Sequence, residues 1–256
     1  MHIIDDGNYG EIVESCYQRT EGIRGMIPRD YDEVPMGSIP HTAPFVEALP
    51  IIPENEWPAR IAAMQGKWIR YLYPGNAKDD YQDSLGYCWA FSLCQSAMMI
   101  RALEGQAYKL LLAESLGYDV NWHNAGNYCS SAIEAAGKTG FCEASYSPKR
   151  FNLKPSTWKT GWQDNALQYR ITEWWELGNV NMRQEVATAL MLGFPVYTGY
   201  NRFAHAIALD ECGLDGKTFW VHSPNTHGPG EDWTLKGTVA IPDEAYVPRV
   251  VTRSNT

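Results

Sequence analysis

The stretch QDSLGYCWAFSLCQSAMMIRAL, Gln82 to Leu103, decides the fold. From Cys88 onward nearly every position is apolar or small, and neither Gly nor Pro interrupts before Gly105. A run so long and so uniformly apolar reads as a helix buried on most sides. Gly86 permits a tight turn just ahead of it, which predicts Cys88 at or near the first helical position. A thiol there meets unpaired backbone N–H groups at the positive end of the helix dipole, and both favour the thiolate. The competing reading is a small core cysteine. Gln82, six residues upstream, can bring a side-chain amide beside the thiol, and Trp89 can wall the site.

This segment resembles the active-site segment of papain-like cysteine proteases, Q-x-x-C-G-S-C-W-A-F. Gln82, Gly86, Cys88, Trp89, Ala90 and Phe91 match, while Leu85 stands where that family has a disulfide-forming Cys and Tyr87 where it usually has Ser. The resemblance implies that Cys88 is a nucleophile and that Gln82 and the Cys88 N–H form an oxyanion hole. No metal or cofactor is implied. A second block, NAGNYCSSA, resembles the family's N-G-G-Y-x-x-x-A, with Gly126, Tyr128 and Ala132 matching. There the second Gly offers its backbone to an extended substrate, and Asn127 holds that position here. Tyr87, Trp89, Gly126 and Asn127 are therefore the expected substrate-binding residues.

A thiol nucleophile needs a base that takes its proton and later protonates the leaving amine. Among six histidines, His205 heads the apolar strand AHAIAL after a polar turn at Asn201-Arg202. The alternative is an ordinary hydrogen-bonded strand histidine. The segment resembles the family's D-H-A-V strand. Papain-like enzymes orient this histidine with the Asn of N-S-W-G-x-x-W-G. In VHSPNTHGPGEDW, His222 falls at the Asn position, Pro224 at the Trp position, and Asn225 three residues later. Either His222 or Asn225 orients His205, or the triad is incomplete.

The 256 residues carry a net charge of −9 and no basic block, which argues against nucleic acid as a partner. No stretch has the apolar length of a membrane span. The opening MHIIDDGNYGEIVES is acidic and polar, unlike a signal peptide. Six cysteines with Leu85 at the partner position point to a reducing compartment, cytoplasmic or within a virion. Cys129 and Cys142 flank one short helix and are candidates for pairing. No C-x-x-C pair or His cluster indicates zinc.

Residues 1–57 read as an extended, proline-rich arm, with seven prolines from Pro28 to Pro58. It either straps its own chain or docks on a partner, and it is too short and too proline-rich to resemble the helical propeptide of papain-like zymogens. Residues 58–256 read as one domain, with a helical lobe over about 58–150 and a β lobe over about 151–250. Expected helices lie over 59–73, over Gln106–Leu116, and after a capping box at Ser131-x-x-Glu134. ALQYRITEWW reads as a strand, Asn181 caps a helix reaching Gly193, GFPVYTGY is a strand, and Asp215-Gly216 turns a hairpin. Helices first and antiparallel strands last give an α+β class. It fits the papain-like two-lobe fold, a helical lobe and an antiparallel β-barrel-like lobe facing across a cleft. The expected activity is a cysteine peptidase acting on peptide or protein substrates through a thioester. The alternatives are an inactive papain-fold part of a larger assembly such as a phage virion, or a Cys/His amidase acting on peptidoglycan.

Overall fold

A helix with no polar face must be covered on every side, and this requirement arranges the molecule. The computed structural model describes residues 2–19, 25–39, 42–72, 81–224 and 232–251. The first part of the chain forms β1 (His2–Ile4), α1 (Tyr9–Arg19), β2 (Thr42–Pro44), α2 (Phe45–Ala48), α3 (Trp57–Ala63) and α4 (Ile69–Leu72). The helical lobe continues with α5 (Cys88–Leu103), α6 (Cys129–Lys138) and α7 (Trp162–Ala166). Then come β3 (Ile171–Leu177), α8 (Met182–Met191), β4 (Val196–Tyr200), β5 (His205–Leu209), β6 (Glu211–Asp215), β7 (Thr218–Ser223), β8 (Trp233–Lys236) and β9 (Glu244–Val251).

Every residue of α5 from Cys88 to Ile100 is buried. The helix packs on α4, α6 and the 3-10 stretch Ala113–Val120 on one side, and on β4, β5 and β9 on the other. Its buried hydroxyls bond back within the helix: Ser92 Oγ donates to the Cys88 carbonyl at 2.6 Å and Ser96 Oγ to that of Ser92 at 2.9 Å. These two hydroxyls are thereby satisfied without solvent, and the helix forms the wall between the two lobes.

The β lobe consists of two sheets, ordered β1-β8-β7-β6 and β2-β3-β9-β4-β5. They are not closed into a barrel, which corrects the barrel-like expectation. Most pairs are antiparallel, but β1 runs parallel to β8 and β2 parallel to β3. Both parallel strands come from the proline-rich region, which covers sheet edges that would otherwise expose unpaired backbone groups. That region is also part of the core: Ile4, Met26, Phe45 and Trp57 are at most 1 % exposed. In the described residues these contacts tie the region to its own chain.

Two local expectations hold, one set by a cap and one by a turn. The Asn181 side chain accepts from the Gln184 N–H and opens α8, and β6–β7 form the hairpin around Asp215-Gly216. Gln106–Leu112 is extended rather than helical, because its backbone bonds to the 142–144 loop (Leu112 N to Cys142 O 2.8 Å, Ala144 N to Leu110 O 2.8 Å). The expected helix over 59–73 is two short ones, α3 and α4, broken at a positive-φ Gly66. Helix α6 begins at Cys129, two residues before the capping-box pattern, with no side-chain cap. Of ALQYRITEWW only Ile171 onward is strand; Leu167–Tyr169 is a 3-10 turn. The five described cysteines that are free, Cys88, Cys94, Cys129, Cys142 and Cys212, are all buried, so Cys129 and Cys142 do not pair.

One ion pair fastens the strap. Arg29 Nη1 donates to Glu176 Oε1 at 2.5 Å and to Tyr246 OH at 2.7 Å. Its Nε and Nη2 donate to the carbonyls of Val34 and Pro35 at 2.7 and 2.6 Å. The Gly37 N–H donates to the other Glu176 oxygen at 2.6 Å. Both side chains are 2 % exposed, so losing either leaves a buried, uncompensated charge. Glu176→Gln is expected to lower unfolding stability by about 3–5 kcal/mol, read as the denaturant midpoint. An unchanged midpoint means the strap is not held here.

Candidate active site

The turn that precedes α5 is fixed by the loop over residues 123–125. The Gly86 N–H donates to Asn124 Oδ1 at 2.7 Å, Tyr87 OH to the His123 carbonyl at 2.6 Å, and Trp89 Nε1 to the Ala125 carbonyl at 3.2 Å. Tyr87 is fully buried by this bond, so its phenol turns into the helical lobe rather than into the cleft. Cys88 is left as the first residue of α5, as its position after Gly86 predicts. Gln82 is buried, with Nε2 donating to the Leu85 carbonyl at 2.5 Å. Its Oε1 has no hydrogen-bond partner among the described residues.

The β lobe meets the sulfur through β5. The Ala206 N–H points at Cys88 Sγ at 3.3 Å, which brings the residue before it, His205, to the lobe boundary beside the thiol. Across the same seam Tyr197 OH donates to the Trp89 carbonyl at 3.0 Å. Ala204 adopts a left-handed φ of +45°, which closes the turn ahead of β5 and directs its carbonyl toward the groove. His205 is 5 % exposed, and its ring lies 5.4 Å from that of Trp233. Trp233 thus shields this histidine in space, although Pro224 occupies the family's shielding position in sequence. Its only sequence signal is a Trp at the close of the segment, nine residues beyond Pro224.

His222 is committed elsewhere. Its Nδ1 bonds Asp210 Oδ1 at 2.5 Å, and Nε2 faces Asp232 Oδ2 at 3.5 Å, long for a hydrogen bond. Arg70 joins the cluster through Glu211 at 2.9 Å and Asp232 at 3.6 Å. Burial alone would lower the His222 pKa, but the Asp210 charge and hydrogen bond raise it from the ordinary 6.5 to about 9. An imidazolium has no lone pair with which to accept from His205. Of the two expected orienting groups, His222 therefore belongs to this charge cluster, and Asn225 lies outside the described residues.

The groove at the thiol is occupied by the chain's own residues 25–27. The Asn127 N–H donates to the Gly25 carbonyl at 3.2 Å, Ile27 N–H to the Asn127 carbonyl at 3.0 Å, and Met26 N–H to the Ala204 carbonyl at 3.1 Å. These form a parallel bridge between Met26 and Asn127. A Cβ on Gly25 would fall 2.5 Å from Cys88 Sγ, so only glycine passes over the sulfur. Asn127 gives both of its backbone groups to the strap, and its Oδ1 accepts from the Tyr128 N–H at 2.9 Å. Met26 is fully buried, and its Sδ and Glu244 Oε1 lie 2.8 and 2.7 Å from where a Cβ on Gly199 would fall. Burial holds the Glu244 carboxyl above its ordinary range. Sequence reasoning missed Gly25, Met26 and Glu244, which carry no motif of their own.

Two further thiols are held in their neutral form. Burial and the Glu244 charge push Cys129 well above its ordinary pKa, and burial pushes Cys142 up to about 12. Among the described residues no group of His, Cys, Asp and Glu forms a metal site, and no helix is long and apolar enough to cross a membrane.

The lobes, the helix-borne cysteine and the strand-borne histidine can be set against known structures. A structure from work on the mite allergens Blo t 1 and Der p 1 matches with a TM-score of 0.59 at 16% identity, covering 96% of this chain and 92% of its own. Xylellain, a cysteine protease from Xylella fastidiosa, matches with a TM-score of 0.55 at 15% identity, over 70% of this chain and 84% of its own. Procathepsin B S9 from Trypanosoma congolense matches at 0.54 and 13% identity, over 88% and 83%. The chain has the papain-like cysteine protease fold. No protein-family model matches the sequence, and neither does any curated protein. At these identities the likeness concerns the architecture alone.

The papain-like fold places a charged histidine where its pKa is testable. Because the folded pKa of His222 lies above its unfolded value, its stabilisation is fully present below pH 6.5 and is lost as pH rises through about 9. Asp210→Asn removes the cause and is expected to flatten stability between these limits, measured by urea midpoints across pH. An equal slope in parent and variant refutes the charged His222.

Proposed function

We propose that this protein is a cysteine peptidase that hydrolyses peptide bonds through a Cys88 thioester and is held closed by its own strap. The observation that carries this reading is the hydrogen bond from the Ala206 N–H to Cys88 Sγ at 3.3 Å, beside His205 and under an extended segment. In this scheme His205 takes the thiol proton, and Sγ attacks the substrate carbonyl. The Cys88 N–H at the helix start receives the developing oxyanion. Gln82 supports it with the second N–H of its amide, since Leu85 takes only one. His205 then protonates the departing amine, and water hydrolyses the thioester. Asn225 is the proposed orienting group, because His222 is protonated and paired.

An extended substrate can use the same backbone groups that the strap uses, at Asn127 and Ala204. The strap runs parallel to the Asn127 segment and passes the thiol with a residue lacking a side chain. Lifting residues 25–27 gives up three backbone bonds that a substrate restores, so the closed state is an intramolecular competitor. It also empties the pocket of Met26, beside which Glu244 has an unpaired oxygen. Burial favours the neutral form of this carboxyl in the closed state, and a substrate Lys or Arg brought beside it would supply the charge that stabilises the ionised form.

Two outcomes test this. Gly25→Ala is expected to speed Cys88 alkylation at least about tenfold, since ~1.4 kcal/mol of strain shifts the strap equilibrium by that factor. Peptide hydrolysis should rise with it and vanish in Cys88→Ala and His205→Ala. An alkylated but hydrolytically silent Gly25→Ala makes the fold a scaffold. On a peptide library, Glu244→Gln should cut preference for Lys or Arg over Met at least about tenfold, the worth of one charge-assisted hydrogen bond. An unchanged preference removes Glu244 from the pocket.

A further inference from the structure

The helical lobe carries a second concavity, lined by none of the residues placed at the thiol. It is a cavity of about 540 Å³ lined by the 3-10 stretch 113–120, the end of α6, the 155–157 turn and α7. That volume falls within the ~300–1,000 Å³ of small-ligand sites. Trp122 and Trp162 form its wall at 5.8 Å and 86° to one another, backed by Trp158. Tyr118 stands at its mouth, 70 % exposed. Lys138, Ser156 and Gln163 supply an exposed rim of hydrogen-bonding groups.

The backbone is strained to build this wall. Asn121 and Trp122 both take left-handed φ, +48° and +58°, a conformation bulky L-residues rarely adopt. The Trp122 N–H donates to the Gly117 carbonyl at 2.7 Å, and a Cβ on Gly117 would fall 2.8 Å from the indole. Such strain persists where the surrounding structure over-determines it, and it gathers at ligand clamps.

We propose that this cavity binds the pyranose rings of an oligosaccharide. A pyranose presents a C–H face that stacks on an indole and an edge of hydroxyls that need donors and acceptors together. Half-exposed indoles beside an amide, a hydroxyl and an ammonium match that division. A polyproline peptide fits less well, because it docks in a groove lined by aromatic ridges, and these rings meet at right angles in a corner. Lys138 adds an attraction for a carboxylated sugar. It is exposed and its 3.3 Å pair with Glu134 is a surface one, so it is free to exchange partners. The inference stands independently of the peptidase reading.

The test uses the full chain with two probes, chitotriose and a hyaluronan tetrasaccharide, followed by tryptophan fluorescence and calorimetry. Saturable binding of either probe at millimolar concentration is expected, weakened about tenfold in Trp162→Ala by the loss of one ring face. Gln163→Ala, an exposed change that leaves the fold intact, is expected to weaken it as well. Binding of neither probe overturns the proposal, as does binding indifferent to both variants. A proline-rich peptide that binds in a Trp162-dependent way while the sugars do not also overturns it and makes the cavity a peptide site.

Discussion

A sulfur atom at the first turn of a buried helix sits where three pieces of chain must meet. Helix α5 carries it, β5 brings the Ala206 N–H to 3.3 Å of it, and Gly25 passes directly above it. Each approach restricts what surrounds it. The helix must be apolar on all faces because a lobe lies on either side. Ala204 must take a left-handed turn so that His205 and Ala206 follow in register. Residue 25 must lack a side chain. The Tyr197 bond to the Trp89 carbonyl then fixes the lobes at this separation.

The strap is continuous with the β lobe at both flanks. Upstream, β1 pairs with β8, and Asp6 accepts from the Val239 N–H at 3.1 Å. Downstream, β2 pairs with β3 while Phe45 and Trp57 enter the core. Between these anchors, residues 25–27 hold the groove with neutral backbone bonds, each contributing about 0.5–1.5 kcal/mol net. The buried Met26 side chain adds about 1.5–3 kcal/mol to this hold, and the anchors keep the segment at high effective concentration.

Charge is handled differently on the two sides of the β lobe. The Arg29–Glu176 pair is dry and fully bonded, fixing one geometry. The Asp210–His222–Asp232–Arg70 cluster holds a protonated histidine by surplus negative charge. Glu244 has neither arrangement: it accepts from Tyr246 OH at 2.9 Å, keeps one oxygen unpaired, and burial favours its neutral form.

The sequence by itself determined the central helix, its first residue and, from Pro58 onward, a helical lobe followed by a β lobe. Apolar periodicity, the Gly86 turn, the Asn181 cap and the Asp215-Gly216 hairpin are local, and local chemistry is legible in a string of residues. It also offered the candidate pair Cys88 and His205, through the place of each at the start of a helix and of a strand and through the resemblance of their segments to those of papain-like proteases. Only the tertiary structure decided what each polar group meets. His222 stands at the aligned position of an orienting residue, but Asp210, twelve positions away in sequence, takes it across the β6–β7 sheet. Tyr87 reads as a substrate-binding residue until the His123 carbonyl draws it inward, and Gln106–Leu112 reads as a helix until the 142–144 loop offers it a backbone partner. The proline-rich region reads as extended throughout, yet it holds α1 (Tyr9–Arg19), ahead of the prolines, and the one-turn α2; only its lack of long helix from Pro28 on was legible, because proline fixes φ and removes a donor. Its course across the thiol was not, because a groove is defined by residues far apart in the chain, and Gly25 has no side chain to announce what it fits.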